Sequence, residues 1–246
     1  MPQFFIESKK ITAEALLLEE KSDIKHIIDV LRKKEGDEVL FIDENEILYT
    51  TMILEFSKNH LKAQILNKEK SIRTLCTDIT LIQSVLKSSA QDFAIQKATE
   101  IGTKKILPIT SKYTVVKFEN SKDRTKKVEK WQKIAFESCK QCERSKAPEI
   151  SAIRSFQEAL SMDFDIKIAC VERMADLSLK EFLRANSYKA GQKIALFVGP
   201  EGGWSDAEIE SFSPNNIAKV SLGNMILRAE TAVIAALSGV VYEYEN

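Results

Sequence analysis

Over roughly the first seventy positions, apolar residues come in short runs rich in β-branched and aromatic side chains. EVLFI at 38 to 42, EILYTTMIL at 46 to 54 and HLKAQIL at 60 to 66 each predict a strand. Asp43, Glu44 and Asn45 supply a turn between the first two. Upstream, Ile24, Ile27, Ile28 and Leu31 recur at the helical period until Gly36 and Asp37 break it. These signals describe a small β-barrel-like module with one helix. The polar stretch from Asn67 to Arg73 reads as its linker, which predicts domains at residues 1–72 and 73–246.

From Thr77 the pattern changes. DITLIQSV, KKILPIT, DIKIACV, KIALFVG and IAKVSLG read as buried strands, with helical stretches between them. Two of those stretches are Ser88 to Gly102, closed by the glycine, and an amphipathic run from Asp123 to Arg144. Strands alternating with helices predict an α/β domain whose mainly parallel sheet is covered on both faces.

Two of the strands end in glycine turns. In IALFVGPEGGWSDAEIE, residues 194 to 210, the strand runs into Gly199, Pro200, Glu201, Gly202 and Gly203. Ser205 with Glu208 three positions later forms a capping box that starts a helix. Gly202 and Gly203 permit positive φ and close approach of a ligand to the backbone. The turn has neither the lysine nor the spacing of a phosphate loop. Its carboxylate, Glu201, would repel a pyrophosphate and accept a cationic ligand or a ribose hydroxyl. The second turn follows AKVSL at Gly223. Ile226, Leu227, Val233, Ile234, Leu237, Val240 and Val241 predict a helix after it, with Arg228, Glu230 and Thr231 in its first turns. On such a helix Arg228 and Glu230 fall about 200° apart, so one of them should face away from solvent. If both strands are parallel, the two turns share the carboxyl edge of the sheet, where open α/β folds bind ligands.

Composition excludes several classes. Hydrophobic residues are 44% and charged residues 29% of 246, which is globular. The longest apolar stretch, AVIAALSGVVY, is too short to span a bilayer, and the N-terminus lacks a signal core, so a cytoplasmic location is expected. Lys plus Arg and Asp plus Glu both number 36, yet the charge is unevenly placed. Residues 87 to 148 hold 15 basic and 7 acidic side chains, a net +8, while residues 149 to 246 are at −5. A basic block of this kind attracts phosphate backbones; a solvated lysine-rich helix face is the plainer explanation.

Cys139 and Cys142 have the C-x-x-C spacing of a zinc or redox site, but no second pair follows and both histidines, His26 and His60, lie in the N-terminal module. No metal is expected, and the cysteines should pack with Trp131, Ile134 and Ala135. Gln141 and Arg144, about one helical turn apart, are placed to act together on a phosphate or base edge, although a helix C-terminus finished by a cation has the same sequence.

With these residues in view, the chain resembles the RsmE family, the 16S ribosomal RNA uridine N3-methyltransferases of the SPOUT class. QFF at 3 to 5, HIIDVLRKKEGDEV at 26 to 39, QKATEIGTKKILPI at 96 to 109, the Gln141 and Arg144 pair, GPEGGWSDAEI and LGNMILRAETA carry the resemblance. The sequence departs from the family at Met225, where a basic residue is often found, and at Ser138 with Cys139, where two alanines are usual.

The resemblance implies a PUA-like N-terminal barrel and a C-terminal parallel sheet with a deep trefoil knot. Chirality rules applied to the periodicity alone give an unknotted sheet. It also implies a homodimer acting on 16S rRNA within the small ribosomal subunit. S-adenosylmethionine is the implied cofactor, held by Leu196, Phe197, Gly199, Pro200, Glu201, Gly202, Ser221, Leu222, Gly223, Ile226, Leu227 and Thr231, with backbone groups of Phe197, Gly199, Leu222 and Ile226 on the adenine edge. RNA contact falls to Arg32, Lys126, Lys127, Gln141 and Arg144. Arg228 cannot act as a base, since a guanidinium keeps its protons, so it is assigned to stabilising charge on the uridine ring, and Glu230, or a water it holds, to taking the N3 proton. Two other readings remain. One is another SPOUT reaction, such as ribose 2′-O-methylation. The other is a non-catalytic RNA-binding or assembly protein, against which intact Glu201, Arg228 and Glu230 count.

Overall fold

The computed structural model describes residues 3–71 and 75–245. The chain divides into two compact units, Met1–Thr74 with Cys139–Lys146, and Leu75–Ser138 with Ala147–Asn246. The boundary expected between residues 72 and 73, with Ile72 and Arg73 of the expected linker, lies outside the described residues.

In the first unit, β1 (Gln3–Phe5), β2 (Ala15–Leu18), β3 (Glu38–Ile42), β4 (Ile47–Phe56) and β5 (Leu61–Lys70) form one sheet in the order β1-β3-β4-β5-β2. Only β1 and β3 are parallel. Irregularities in the β4–β5 register after Thr50 and after Ile53 bend the ribbon. The inward residues Phe4, Leu16, Leu18, Phe41, Ile53, Leu61 and Ala63 pack with Ile24 and Ile27. The β3–β4 turn is organised by buried Asp43, whose carboxylate accepts from the Asn45 and Ile47 N–H groups, each at 2.9 Å, and from the Tyr49 hydroxyl at 3.0 Å. Burial, with the Asp43 bond adding to it, pushes the Tyr49 phenol up to about 12.

Two expectations need correction here. Asn67–Lys70 are not linker but the end of β5, paired with Ile47–Thr50. The predicted helix is a single α turn, α1 (Lys21–Lys25), that widens into a π turn over His26–Val30. The first unit also takes in residues 139–146. Lys140 Nζ lies 2.7 Å from Asp23 Oδ1, both largely buried, the Gln3 amide donates to the Arg144 carbonyl, and the Ser145 hydroxyl donates to Glu46 at 3.2 Å.

The second unit comprises β6 (Asp78–Ser84), α2 (Ser88–Ile101), β7 (Lys105–Thr110), α3 (Ser121–Gln141) up to Ser138, β8 (Glu149–Ile150), β9 (Arg154–Ser155), α4 (Phe156–Leu160), β10 (Ile166–Cys170), β11 (Leu177–Ser178), α5 (Leu179–Ala185), β12 (Lys193–Val198), α6 (Asp206–Phe212), β13 (Ala218–Ser221) and α7 (Ala229–Tyr244). Its strands run in the order β11-β13-β10-β12-β6-β7-β8, with every pair parallel. Because side chains alternate along a strand, Ile194 and Leu196 of β12 join the core with Val233, Ala236, Leu237 and Val240 of α7. Ala195 and Phe197 join the opposite core with Phe156, Trp204, Ile209 and Phe212. The all-parallel sheet is thus buried on both faces. Among the described residues, no helix is long and apolar enough to cross a membrane.

Candidate active site

The carboxyl ends of three adjacent strands, β12, β10 and β13, open into one cavity of about 480 Å³. Its walls are Cys170–Met174, Val198–Asp206, Leu222–Leu227, and Tyr113, Ile209, Ala229 and Ala232. Both glycine turns are therefore in one site, as the strand pattern required, and a third segment after β10 joins them.

The first turn is held by specific contacts. Trp204 donates from its indole N–H to the Cys170 carbonyl at 3.0 Å and packs on Phe156 and Phe212. Its ring lies over Gly199 so closely that a Cβ there would meet it at 3.2 Å. Gly202 is likewise a point of close approach: a Cβ would lie 3.1 Å from that of Tyr113. The positive φ expected at Gly202 and Gly203 is found at Gly203 alone, at 70°, and at Gly223 in the other turn. Glu208 forms the expected capping box, its Oε2 accepting from the Ser205 N–H and hydroxyl at 2.9 Å each. Its Oε1 accepts from the Lys112 N–H at 2.8 Å, tying in the segment after β7. Glu201 reaches the start of α2, where it accepts from the Lys87 N–H at 2.8 Å, a favourable place for an anion.

Beyond the second turn the expectation was wrong in detail. Residues 222–228 are not helical, and α7 begins at Ala229 with Arg228 as its N-cap, at φ −62° and ψ 152°. Met225 and Ile226 are 80% and 69% exposed, so their apolar character reflects the cavity wall and surface instead of a buried helix face. The angular argument placing Arg228 and Glu230 on opposite helix faces therefore fails. Arg228 is exposed, and Glu230 is half-buried in the first helical turn. Arg228 makes no ion pair or side-chain hydrogen bond among the described residues. It also stands where serine or aspartate would be favoured and where the helix dipole repels a cation. Stability does not account for an arginine there.

Of the other expected cofactor residues, Gly199, Pro200, Glu201, Gly202, Leu222, Gly223, Ile226 and Leu227 line the cavity. Leu196 and Phe197 do not: both are fully buried, and β12 is paired on both sides, which commits its backbone groups to the ladder. Ser221 ends β13 opposite Ser178, and Thr231 is exposed on α7; neither reaches the cavity. Arg32 and Lys126 are exposed and Lys127 is half-exposed. Gln141 is the last residue of α3, so Arg144 lies beyond the helix and the two are not spaced by a helical turn. Arg144 is half-buried, and burial lowers its guanidinium from the ordinary range. Cys139 is buried and donates to the Arg144 carbonyl at 3.3 Å, with burial pushing its thiol up to about 12. Such a thiol stays protonated. Among the described residues, no group of three His, Cys, Asp or Glu is placed to hold a metal ion.

The cavity walls carry Glu172, Glu201 and Asp206 against one cation, Arg173. This acidic excess, two bends of main chain and apolar patches at Val171, Val198 and Leu227 suit a cationic adenosyl compound and disfavour a polyphosphate.

A family model described as an RNA methyltransferase domain matches residues 73–241, and one described as an RNA methyltransferase PUA domain matches residues 18–66. The chain is 30% identical over 97% of its length to ribosomal RNA small subunit methyltransferase E of Mesomycoplasma hyopneumoniae, covering 98% of that protein. It belongs to the ribosomal RNA small subunit methyltransferase E family. The family protein of Bacillus subtilis is 29% identical over the whole chain and 98% of its own length. That of Neisseria gonorrhoeae, in a crystal structure bound to S-adenosyl methionine, is 26% identical, with a TM-score of 0.86 over 99% of this chain and 98% of that one.

Sequence reasoning missed three parts of the methyltransferase cavity. Val171–Met174 follow a strand with no glycine to announce a turn, and Met174 takes φ 61° without a sequence signal. That β10 lies between β12 and β13 would have placed this segment, but strand order was not readable. Tyr113 comes from a polar loop. Trp204 and Asp206 were visible only as neighbours of the capping box.

Proposed function

We propose that this methyltransferase transfers the methyl group of S-adenosylmethionine to N3 of a uridine in 16S rRNA, the RNA of the small ribosomal subunit, in the cytoplasm. The observation that carries the reading is the acidic, glycine-turned cavity at the carboxyl ends of β10, β12 and β13, flanked by an arginine that stability does not explain. Bound there, S-adenosylmethionine would supply an electrophilic methyl group on a sulfonium. The turns Gly199–Gly203 and Leu222–Leu227 hold it, and the Glu172, Glu201 and Asp206 carboxylates favour its positive charge. Arg228, flanked by the cavity residues Leu227 and Ala229, offers a guanidinium to negative charge developing on the uracil ring. Glu230 is the proton acceptor nearest to it in sequence. Its carboxylate also suits the positive end of α7, so its position has a structural explanation as well.

Two further features belong to this reading. Met225, Ile226 and Tyr242 are apolar or aromatic and strongly exposed, which supports a homodimer, and the C-terminal trefoil knot that the family resemblance implies belongs to the same reading. The assay is methyl transfer to naked small-subunit RNA, to the assembled subunit and to whole ribosomes. Transfer to at least one is expected, and none to any would overturn the function.

Arg32 supports RNA contact by the N-terminal unit. After the π turn the Lys33 N–H returns to the Ile27 carbonyl at 3.1 Å, and Arg32 takes φ 55°. Glycine normally fills this place, because a side chain there costs about 1–2 kcal/mol. Arg32→Gly is expected to stabilise the protein by roughly 0.5–1 kcal/mol while weakening RNA binding and lowering its salt slope by about 1. Thermal melts and salt-dependent binding measure the two effects; unchanged RNA affinity would remove Arg32 from the contact.

A further inference from the structure

We infer that Tyr113 is the stacking platform that receives the target nucleobase, an inference that rests on the cavity being an RNA base-methylation site. Tyr113 lies in the loop between β7 and α3, at the tip of a turn over residues 111–114. The Thr114 N–H donates to the Ser111 carbonyl at 3.1 Å, and the Ser111 N–H donates to the Thr114 hydroxyl at 2.9 Å. The Lys112 N–H is held by Glu208 at 2.8 Å, and the same carboxylate caps the helix after the Gly202 turn. One buried acid therefore fixes the tyrosine's turn against the cofactor turn.

The tyrosine lines the cavity yet is 47% exposed. Its base packs against Gly202, which has no side chain to displace it. Among the described residues its hydroxyl has no hydrogen-bond partner. This is an aromatic residue on a hydrogen-bonded turn, lining the cavity and half in water. Core packing does not require that placement.

An enzyme acting on a base takes it from a single strand or draws it out of its stack, and an aromatic side chain then offers the replacement π surface. Stacking needs the ring and not the phenol. Adenine of the cofactor is the competing occupant. Tyr113, beside Gly202, is 47% exposed, whereas the lining residues Val198, Ile209 and Ala229 are buried and offer adenine apolar walls away from water, so the half-exposed ring suits a base arriving from solvent.

The test compares wild type with Tyr113→Phe, Tyr113→Trp, Tyr113→Leu and Tyr113→Ala. Cofactor affinity is read by calorimetry, and kcat and KM for methyl transfer are read on the best RNA substrate. Loss of one base–aromatic stack should lower kcat/KM for RNA by roughly 10- to 100-fold in the Leu and Ala variants. Phe and Trp should stay within about threefold of wild type, and cofactor affinity should hold throughout. Tyr113→Leu keeps apolar bulk, so a loss there is not a packing failure. If Leu and Ala transfer methyl as wild type does, or Phe is as impaired as Ala, or cofactor affinity falls in proportion to rate, the platform is overturned while the methyltransferase reading stands. Wild type that methylates no RNA overturns both.

Discussion

Arg228→Ser is expected to slow single-turnover methyl transfer by about 10²–10³, to leave cofactor affinity within about twofold, and to raise the melting temperature. These three outcomes have one cause. As the N-cap of α7, Arg228 supplies its carbonyl to the Ala232 N–H at 2.8 Å and nothing from its side chain. Serine would add a cap worth about 1 kcal/mol and remove a cation from the positive helix end. Negative charge on the uracil ring exists only as the methyl group is transferred, so a guanidinium serving it affects rate and not ground-state binding. Arg228→Lys keeps the charge without the planar fork and should recover little. A rate within threefold of wild type, or cofactor affinity falling in step with rate, would make Arg228 structural or cofactor-binding.

Gly202→Val should lower S-adenosylmethionine affinity by at least about tenfold, on an overpacking cost of roughly 1–3 kcal/mol. The first atom of any side chain at this position would lie 3.1 Å from Tyr113 Cβ. Tyr113 cannot retreat cheaply, since Glu208 and Thr114 fasten its turn. The turn lining the cavity must move instead. Gly203 provides the control: its φ is 70° but nothing lies within 4 Å of a Cβ there. Asparagine tolerates that backbone, so Gly203→Asn should bind nearly as wild type. Calorimetric affinity for the cofactor decides; wild-type binding by Gly202→Val would place the cofactor elsewhere.

The elements legible in the sequence are those whose pattern is set by burial. The central strands of the second unit, β6, β10 and β12, are almost wholly buried, so they read as apolar runs, and the glycine ends of β12 and β13 located the cavity. Legibility failed where polarity and burial part company. Asn67–Lys70 form a paired strand although their side chains are all exposed. Ile226 and Leu227 keep the helical period by coincidence, being wall residues ahead of the helix. Residues 139–146 belong with the N-terminal unit through contacts far apart in sequence, such as Lys140 with Asp23, and no local signal announces them. Of the site, the two turns and the capping box were readable from chemistry and spacing. The role of Glu208 as a tie to the Tyr113 turn depends on the fold.

The most direct test of the central claim is the identity of the methylated nucleoside. Small-subunit RNA, free and within the subunit, is incubated with the protein and isotopically labelled S-adenosylmethionine, digested, and resolved by liquid chromatography with mass spectrometry. The expected result is label in N3-methyluridine at a single site, absent with Arg228→Ser over the same interval. Label in a 2′-O-methylated nucleoside, or in another base, would contradict it.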